Sequence, residues 1–147
     1  MKHLFLTVGL LFTTSLFAQT PDETAVKATI TQFFDGMRKA DSTLLRYTLA
    51  PGAKLQSVDN RQGIVSVKET TFDSFAATVA KSQPGELDER LTGLTFHIDG
   101  DLATVWTLYE FIYKSKQDHC GADAFTLVRL AGEWKIQNII DTRRPCL

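Results

Sequence analysis

Positive charge is not in surplus in this chain: 16 lysines and arginines meet 17 aspartates and glutamates, for a net charge of −1. Without a basic excess there is no electrostatic case for nucleic acid or an anionic membrane surface as the main partner. Histidine is scarce. His3, His97 and His119 include no pair at metal-ligand spacing, so no metal is expected, and nothing in the sequence implies a cofactor. A glycine-rich phosphate loop and a G-x-S-x-G nucleophile turn are both missing. Repeats, low-complexity tracts and long linkers are absent, and the single linker-like piece is Ser82-Gln83-Pro84-Gly85-Glu86. The one long apolar run, Leu4 to Phe17, is too short to span a bilayer.

That run follows Lys2 and His3 and ends at the small residue Ala18, the pattern of a secretory signal. The expected division is therefore a signal peptide over residues 1–18 and one domain over residues 19–147, placed in the periplasm or secreted. Losing Lys2 takes the net charge to −2. The remaining chain is long enough to bury a real core.

Cysteine occurs only at 120 and 146, an even pair in a chain addressed to an oxidising compartment. A hairpin turning at Ala131-Gly132 sets Cys120 opposite Arg143 or Arg144, so Cys146 lies two or three residues beyond and within reach of a disulfide. The bond closes a loop of about 27 residues and contributes on the order of 3 kcal/mol. The alternative is a reactive thiol at Cys120.

Thr20-Pro21-Asp22-Glu23 carries a helix-start signature: Thr20 as N-cap, Pro21 in the first turn and Glu23 closing a capping box. Val26, Ile30, Phe33, Phe34 and Met37 then recur at three- and four-residue spacing. Asp41 or Ser42 caps a second helix carrying Leu44, Leu45 and Leu49, stopped by Pro51-Gly52. A short hairpin pairs Ala53–Val58 with Ile64–Val67, and Thr70-x-x-Asp73 opens a third helix with Phe72, Phe75, Ala76 and Val79 on one side. Four strands fill the rest, from Glu89 to Arg144, rich in β-branched and aromatic residues.

This order resembles the nuclear transport factor 2-like superfamily, on D-x-x-L at Asp41–Leu44, I-D-G-D-L-A-T-V at Ile98–Val105 and G-E-W-K-I at Gly132–Ile136. Y-E-F at Tyr109–Phe111, H-C-G at His119–Gly121 and I-I-D-T-R-R at Ile139–Arg144 are similar to its exported bacterial branch, the "putative lumazine-binding" proteins. The resemblance implies an α+β cone: a strongly curved, mostly antiparallel sheet wrapped around three N-terminal helices, with a pocket between.

Under the resemblance, Ile98, Ala103 and Val105 point at the helices, and strict alternation carries Thr107, Tyr109, Phe111 and Tyr113 inward with them. The same alternation turns Thr126 and Val128 inward, and with them Trp134, Ile136, Asn138, Ile140 and Thr142. Tyr109, Phe111, Tyr113, Thr126, Trp134, Asn138 and Thr142 thus form the expected ligand-binding set, an aromatic bowl with a few hydrogen-bonding points. A one-residue bulge would swap the faces and bring in Trp106 and Glu110. The partner this implies is a small apolar or heteroaromatic molecule bound without catalysis. No catalytic residue is assigned, because Glu110 and His97 alternate outward and Asp41 is a helix cap. The alternatives are an isomerase or dehydratase like the ketosteroid isomerases of this fold, and an interaction module. The sheet's outer face is the candidate surface for a homodimer.

Overall fold

The computed structural model describes residues 20–60 and 63–146. The apolar leader and its expected cut near Ala18 lie outside the described residues. Helix α1 (Pro21–Arg38) starts on the expected capping box, with the Thr20 side chain accepting from the Glu23 amide and the Glu23 carboxylate accepting from the Thr20 amide. Its buried stripe is Val26, Ile30, Phe33, Phe34 and Met37. Each such side chain stabilises the fold by roughly 1.5–3 kcal/mol through removal from water.

Helix α2 (Ser42–Tyr47) is capped by Asp41, whose carboxylate accepts from the Thr43 and Leu44 amides. Gly36 lets α1 and α2 touch, since a Cβ there would stand 2.7 Å from the Leu45 nitrogen. α2 ends earlier than its leucine pattern suggests, because Leu49 already pairs with Ile136 as the first residue of strand β1 (Leu49–Asp59). Pro51-Gly52 does not stop a helix. It makes an irregularity in β1, where proline's missing N–H is tolerated. Strand β2 (Ser66–Thr70) pairs with the far end of β1, and helix α3 (Phe72–Lys81) is capped by Thr71, one residue later than the sequence pattern suggests.

Strands β3 (Leu87–Asp99), β4 (Leu102–Tyr113), β5 (Lys116–Leu130) and β6 (Glu133–Arg144) form an antiparallel meander. The order across the six-stranded sheet is β2-β1-β6-β5-β4-β3, with β1 and β6 parallel. Register shifts fall between Thr92 and Thr95 in β3, near Phe111 and Ile112 in β4, and between Thr126 and Leu127 of β5 against β6. Bulges of this kind bend a strand and deepen its twist, which curls the sheet around α1 and α3. Arg38 ties helix to sheet, bonding Asp35 on α1 and Asp88 on β3 at 2.7 Å each. The expected α+β cone is the observed architecture. Cys120 lies opposite Arg144, and a Cys120–Cys146 disulfide fastens the C-terminal end.

Candidate functional site

The shift between β5 and β6 decides what faces the helices. Leu127 pairs with Ile136 but Thr126 pairs with Asn138, so Gln137 is an extra residue and the alternation along β6 reverses beyond it. Ile136 and Ile139 are therefore both buried, and Asp141 and Arg143 follow Ile139 to the inner face. Asn138, Ile140 and Thr142 are turned away, which corrects the inward placement expected for them. Asn138 shares an outer row with Thr126 and exposed Thr104, so Thr126 does not face the helices either. Its neighbours Phe125 and Leu127 do, at 1% and 0% exposure, and Val128 shares the outward parity of Thr126.

Between the concave face and helices α1 and α3 lies a cavity of about 250 Å³. Phe33 and Phe34 of α1, Phe75 of α3 and Phe111 of β4 supply its aromatic walls, with Met37, Leu55, Leu87 and Ile139 beside them. Phe33 and Phe75 stack with planes 19° apart, and Phe33 and Phe34 meet edge to face. Ser57, Thr70 and Thr78 add hydroxyls. The remaining lining is ionisable: Glu89 from β3, Asp123 from β5, Asp141 and Arg143 from β6, and His119 from β5.

Register explains the gathering. Ser57, Asp141, Asp123 and Thr107 lie on consecutive partners across β1, β6, β5 and β4, forming one polar row on the inner face. Two rows along, Glu89, Phe111 and His119 are cross-strand partners. Thr107 is fully buried and donates to the Thr92 carbonyl at 2.9 Å, beside the β3 bulge. Asp123 is 2% exposed and its carboxyl lies near that of Glu89, so that a hydrogen bond between the two requires a proton on one of them. With both ionised, Asp123 Oδ2 has no donor, and Asp141 Oδ1 has none in any case. Asp141 Oδ2 accepts from Arg143 Nε at 3.0 Å.

These surroundings shift the ionisations. Burial, with the charges of Asp123 and Asp141 added, pushes the Glu89 carboxyl well above the ordinary range. Burial likewise lifts Asp123 to about 7; the hydrogen bond from Glu89 pulls it back, and the charge of Asp141 pushes it further up. Burial opposes the charge on Arg143, but Asp141 beside it more than offsets this and raises the guanidinium. The resident state near neutrality is thus a carboxyl pair holding one proton, next to a neutralised Asp141–Arg143 pair.

Of the seven residues expected to bind ligand, Phe111 lines the cavity. Tyr109 is buried on the inner face, but its hydroxyl donates to the Thr142 carbonyl at 2.9 Å. It reaches there across Gly121, where any Cβ would overlap both the Thr142 carbonyl oxygen and the Tyr109 ring. Burial and the nearby carboxylates Asp141, Glu89 and Asp123 raise the Tyr109 hydroxyl, so it stays neutral. Trp134 is buried in the core, away from the cavity, with Arg129 over its ring at 4.6 Å. Tyr113, the last residue of β4, is 40% exposed and does not line the cavity. Thr142 accepts from the Ala122 amide at 3.2 Å instead of facing a ligand.

Glu89, Asp123, Asp141 and Arg143 were not in the expected set, and neither was His119. Its ring packs on Tyr109 and Phe111 at 5.6 and 5.1 Å, with Nδ1 2.7 Å from Asp118 Oδ2. Glu110 bonds Gln117, Asp41 caps α2, and His97 is exposed. Trp106 stands 52% exposed on the outer face. Among the described residues, no group of three His, Cys, Asp or Glu side chains is placed to hold a metal ion.

Similar structures agree on the scaffold. A nuclear transport factor 2-like protein of unknown function from Shewanella baltica superposes with a TM-score of 0.65 at 19% identity, over 88% of this chain and 100% of that one. A Streptomyces avermitilis protein described as a putative dehydratase of the same family gives 0.66 at 17%, over 86% and 100%. A Shewanella frigidimarina protein described as a putative ketosteroid isomerase gives 0.59 at 18%, over 80% and 94%. At these identities the likeness is one of fold. Comparison with curated proteins finds no match. A family profile described as "Putative lumazine-binding" matches residues 21–140, and with the cone fold this places the chain in that family of the nuclear transport factor 2-like superfamily.

Proposed function

We propose that this is an exported small-molecule-binding protein whose cone cavity takes a small planar heteroaromatic compound with N–H groups along one edge. One observation carries the reading: a cavity walled by Phe33, Phe34, Phe75 and Phe111 is also lined by Asp123 and Asp141, where the buried Asp141 Oδ1 lacks a protein donor and Asp123 Oδ2 lacks one unless Glu89 is protonated. Rings fit between the phenylalanines, and edge N–H groups supply the missing hydrogen bonds. At about 250 Å³ the space lies just below the range of about 300–1,000 Å³ usual for drug-sized ligands, which suits one or two rings. The family description names lumazine, a two-ring heterocycle of this kind. Export rests on the leader pattern of residues 1–18 and on the Cys120–Cys146 bond, which persists in an oxidising periplasm or outside the cell. The exposure of Trp106 and Leu108 on the outer face of β4 supports that face as the surface through which two copies would pair.

Fluorescence titration with lumazine, alongside native mass spectrometry of protein taken from its own host, tests the binding reading. One ring-sized molecule per chain is expected. Phe111→Ala should weaken it by about tenfold, in line with the loss of roughly 1.5 kcal/mol of aromatic contact, while Trp106→Ala leaves it unchanged. Empty protein that also ignores lumazine would refute the reading.

A second reading, a cofactor-free isomerase or dehydratase, is favoured by the Glu89–Asp123 pair, which holds an acid and a base together in an apolar site. The expectation of no internal base rested on Glu110, His97 and Asp41, and the carboxylates that do enter the cone are different ones. Against this reading, the Tyr109 hydroxyl is already committed to Thr142.

A further inference from the structure

We propose that the cavity selects organic cations, such as an aryl amidine or a protonated ring amine, and that Glu89 and Asp123 release a proton as the ligand's charge replaces it. This names the ligand class of the site proposed above and rests on that site being a binding cavity.

The ionisable lining of the cavity has an acidic excess. Glu89, Asp123 and Asp141 line the cavity, and Arg143, the only Lys or Arg lining it among the described residues, already bonds Asp141 at 3.0 Å. His119 has its Nδ1 against Asp118, and Tyr109 is engaged by Thr142. On the other side of Glu89, Lys27, Asp35, Arg38 and Arg90 border a separate cleft. Arg38 is held by Asp35 and Asp88, Arg90 is held by Asp88, and Lys27 is exposed, so none of the three neutralises Glu89. The first wall of the cavity, from α1, brings Phe33, Phe34 and Met37, and the second, from α3, brings Phe75 and Thr78: neither carries a charge.

A carboxyl pair shielded from water, whose nearest cation Arg143 is already bonded to Asp141, limits its charge by holding a proton. An incoming cation removes the need. It meets Asp123, 2% exposed with Oδ2 lacking a donor once the proton has left, in a cavity lined by four phenylalanines, and aromatic rings also favour positive charge. The proton then leaves to solvent and the net charge of the site is unchanged. A neutral amide of the same shape can pair with the protonated carboxyls but displaces no proton. An anion meets like charge where water screens little.

Benzamidinium, benzamide and benzoate share a planar frame and carry +1, 0 and −1. Calorimetric titration of the mature protein with each, at pH 6.5 in two buffers of different ionisation enthalpy, separates the cases. Benzamidinium is expected to bind at least about tenfold more tightly than benzamide, benzoate not at all, with proton release visible as a buffer-dependent heat. The benzamidinium affinity should climb by up to about tenfold per pH unit below 7, and that of benzamide should stay flat, as linkage to one proton requires. Asp123→Asn should bring benzamidinium down to the benzamide level while benzamide still binds, showing an intact cavity. Equal binding of amidine and amide, preference for benzoate, or no proton release overturns charge selection and leaves the binding cavity standing. Failure of all three compounds together with lumazine overturns both.

Discussion

Replacing Asp123 by Asn probes the buried carboxyl pair through the stability of the fold. Asp123 has an ordinary value of 3.8 and is lifted to about 7 in the folded protein. An acid raised on folding keeps its proton more firmly in the native state, so its contribution to stability is complete below about pH 4 and is lost as pH climbs to about 7. A shift of roughly three units corresponds to about 4 kcal/mol at 1.36 kcal/mol per unit. Part of this belongs to the proton shared with Glu89, so removing the Asp123 charge alone should recover on the order of 2 kcal/mol at pH 8. The amide can accept from Glu89 and offers an N–H to a row in which Asp141 Oδ1 lacks a donor.

Urea unfolding of both proteins at intervals from pH 4.5 to 8 supplies the measurement. Glu86, Asp88 and Glu133 sit below their ordinary values, so their stabilisation is lost as pH falls, and they tilt the curve of either protein the other way at the acid end. The readout is therefore the difference between the two proteins. It should be near zero or negative at pH 4.5 and should grow in favour of the variant through pH 7. A wild type that equals or exceeds Asp123→Asn at pH 8 would refute the buried pair.

Two further perturbations test the frame around the cavity. Tyr109→Phe strips the donor from the buried Thr142 carbonyl and should cost about 1–2 kcal/mol in urea unfolding, with little change in ring binding because the hydroxyl points away from the ligand. Cys146→Ser should lower stability by about 3 kcal/mol through the opened loop, and thiol counting on unfolded, unreduced wild type should find none.

The legible parts of this fold are those set by neighbours in sequence. The Thr20–Glu23 box, the α1 stripe, the Asp41 cap and the turn at Ala131-Gly132 each depend on a few adjacent residues. The disulfide was legible because it tolerates an error of one residue in register. The cavity does not tolerate it. Cys120 opposite Arg143 or Arg144 looked like a harmless ambiguity, yet the choice of Arg144 is the extra residue at Gln137, and that residue turns Asp141 and Arg143 inward and Asn138 and Thr142 outward. Period-two counting has no term for a single inserted residue. Asp123 left a trace, a charge between Ala122 and Ala124 at the head of the mostly apolar run Ala124–Val128, and Asp141 two before Arg143 left another. Charges in strands are usually solvated, so both traces point outward unless the bulge is known.

The parallel pairing of β1 with β6 also sets the order in which the chain can fold. Leu49 is matched to Ile136, so the centre of the sheet waits for the last strand to be made. Until then the helices can meet only strands β3 to β5, as Phe34 meets Phe125, and β1 has only β2. Contacts between such distant segments carry a large loop-closure cost and slow folding. A chain growing from its N-terminus therefore cannot complete its cone during synthesis. The inner face of β1 stays without its β6 neighbour until residue 144 has emerged, an interval in which a chaperone or an export channel would meet an incomplete cone.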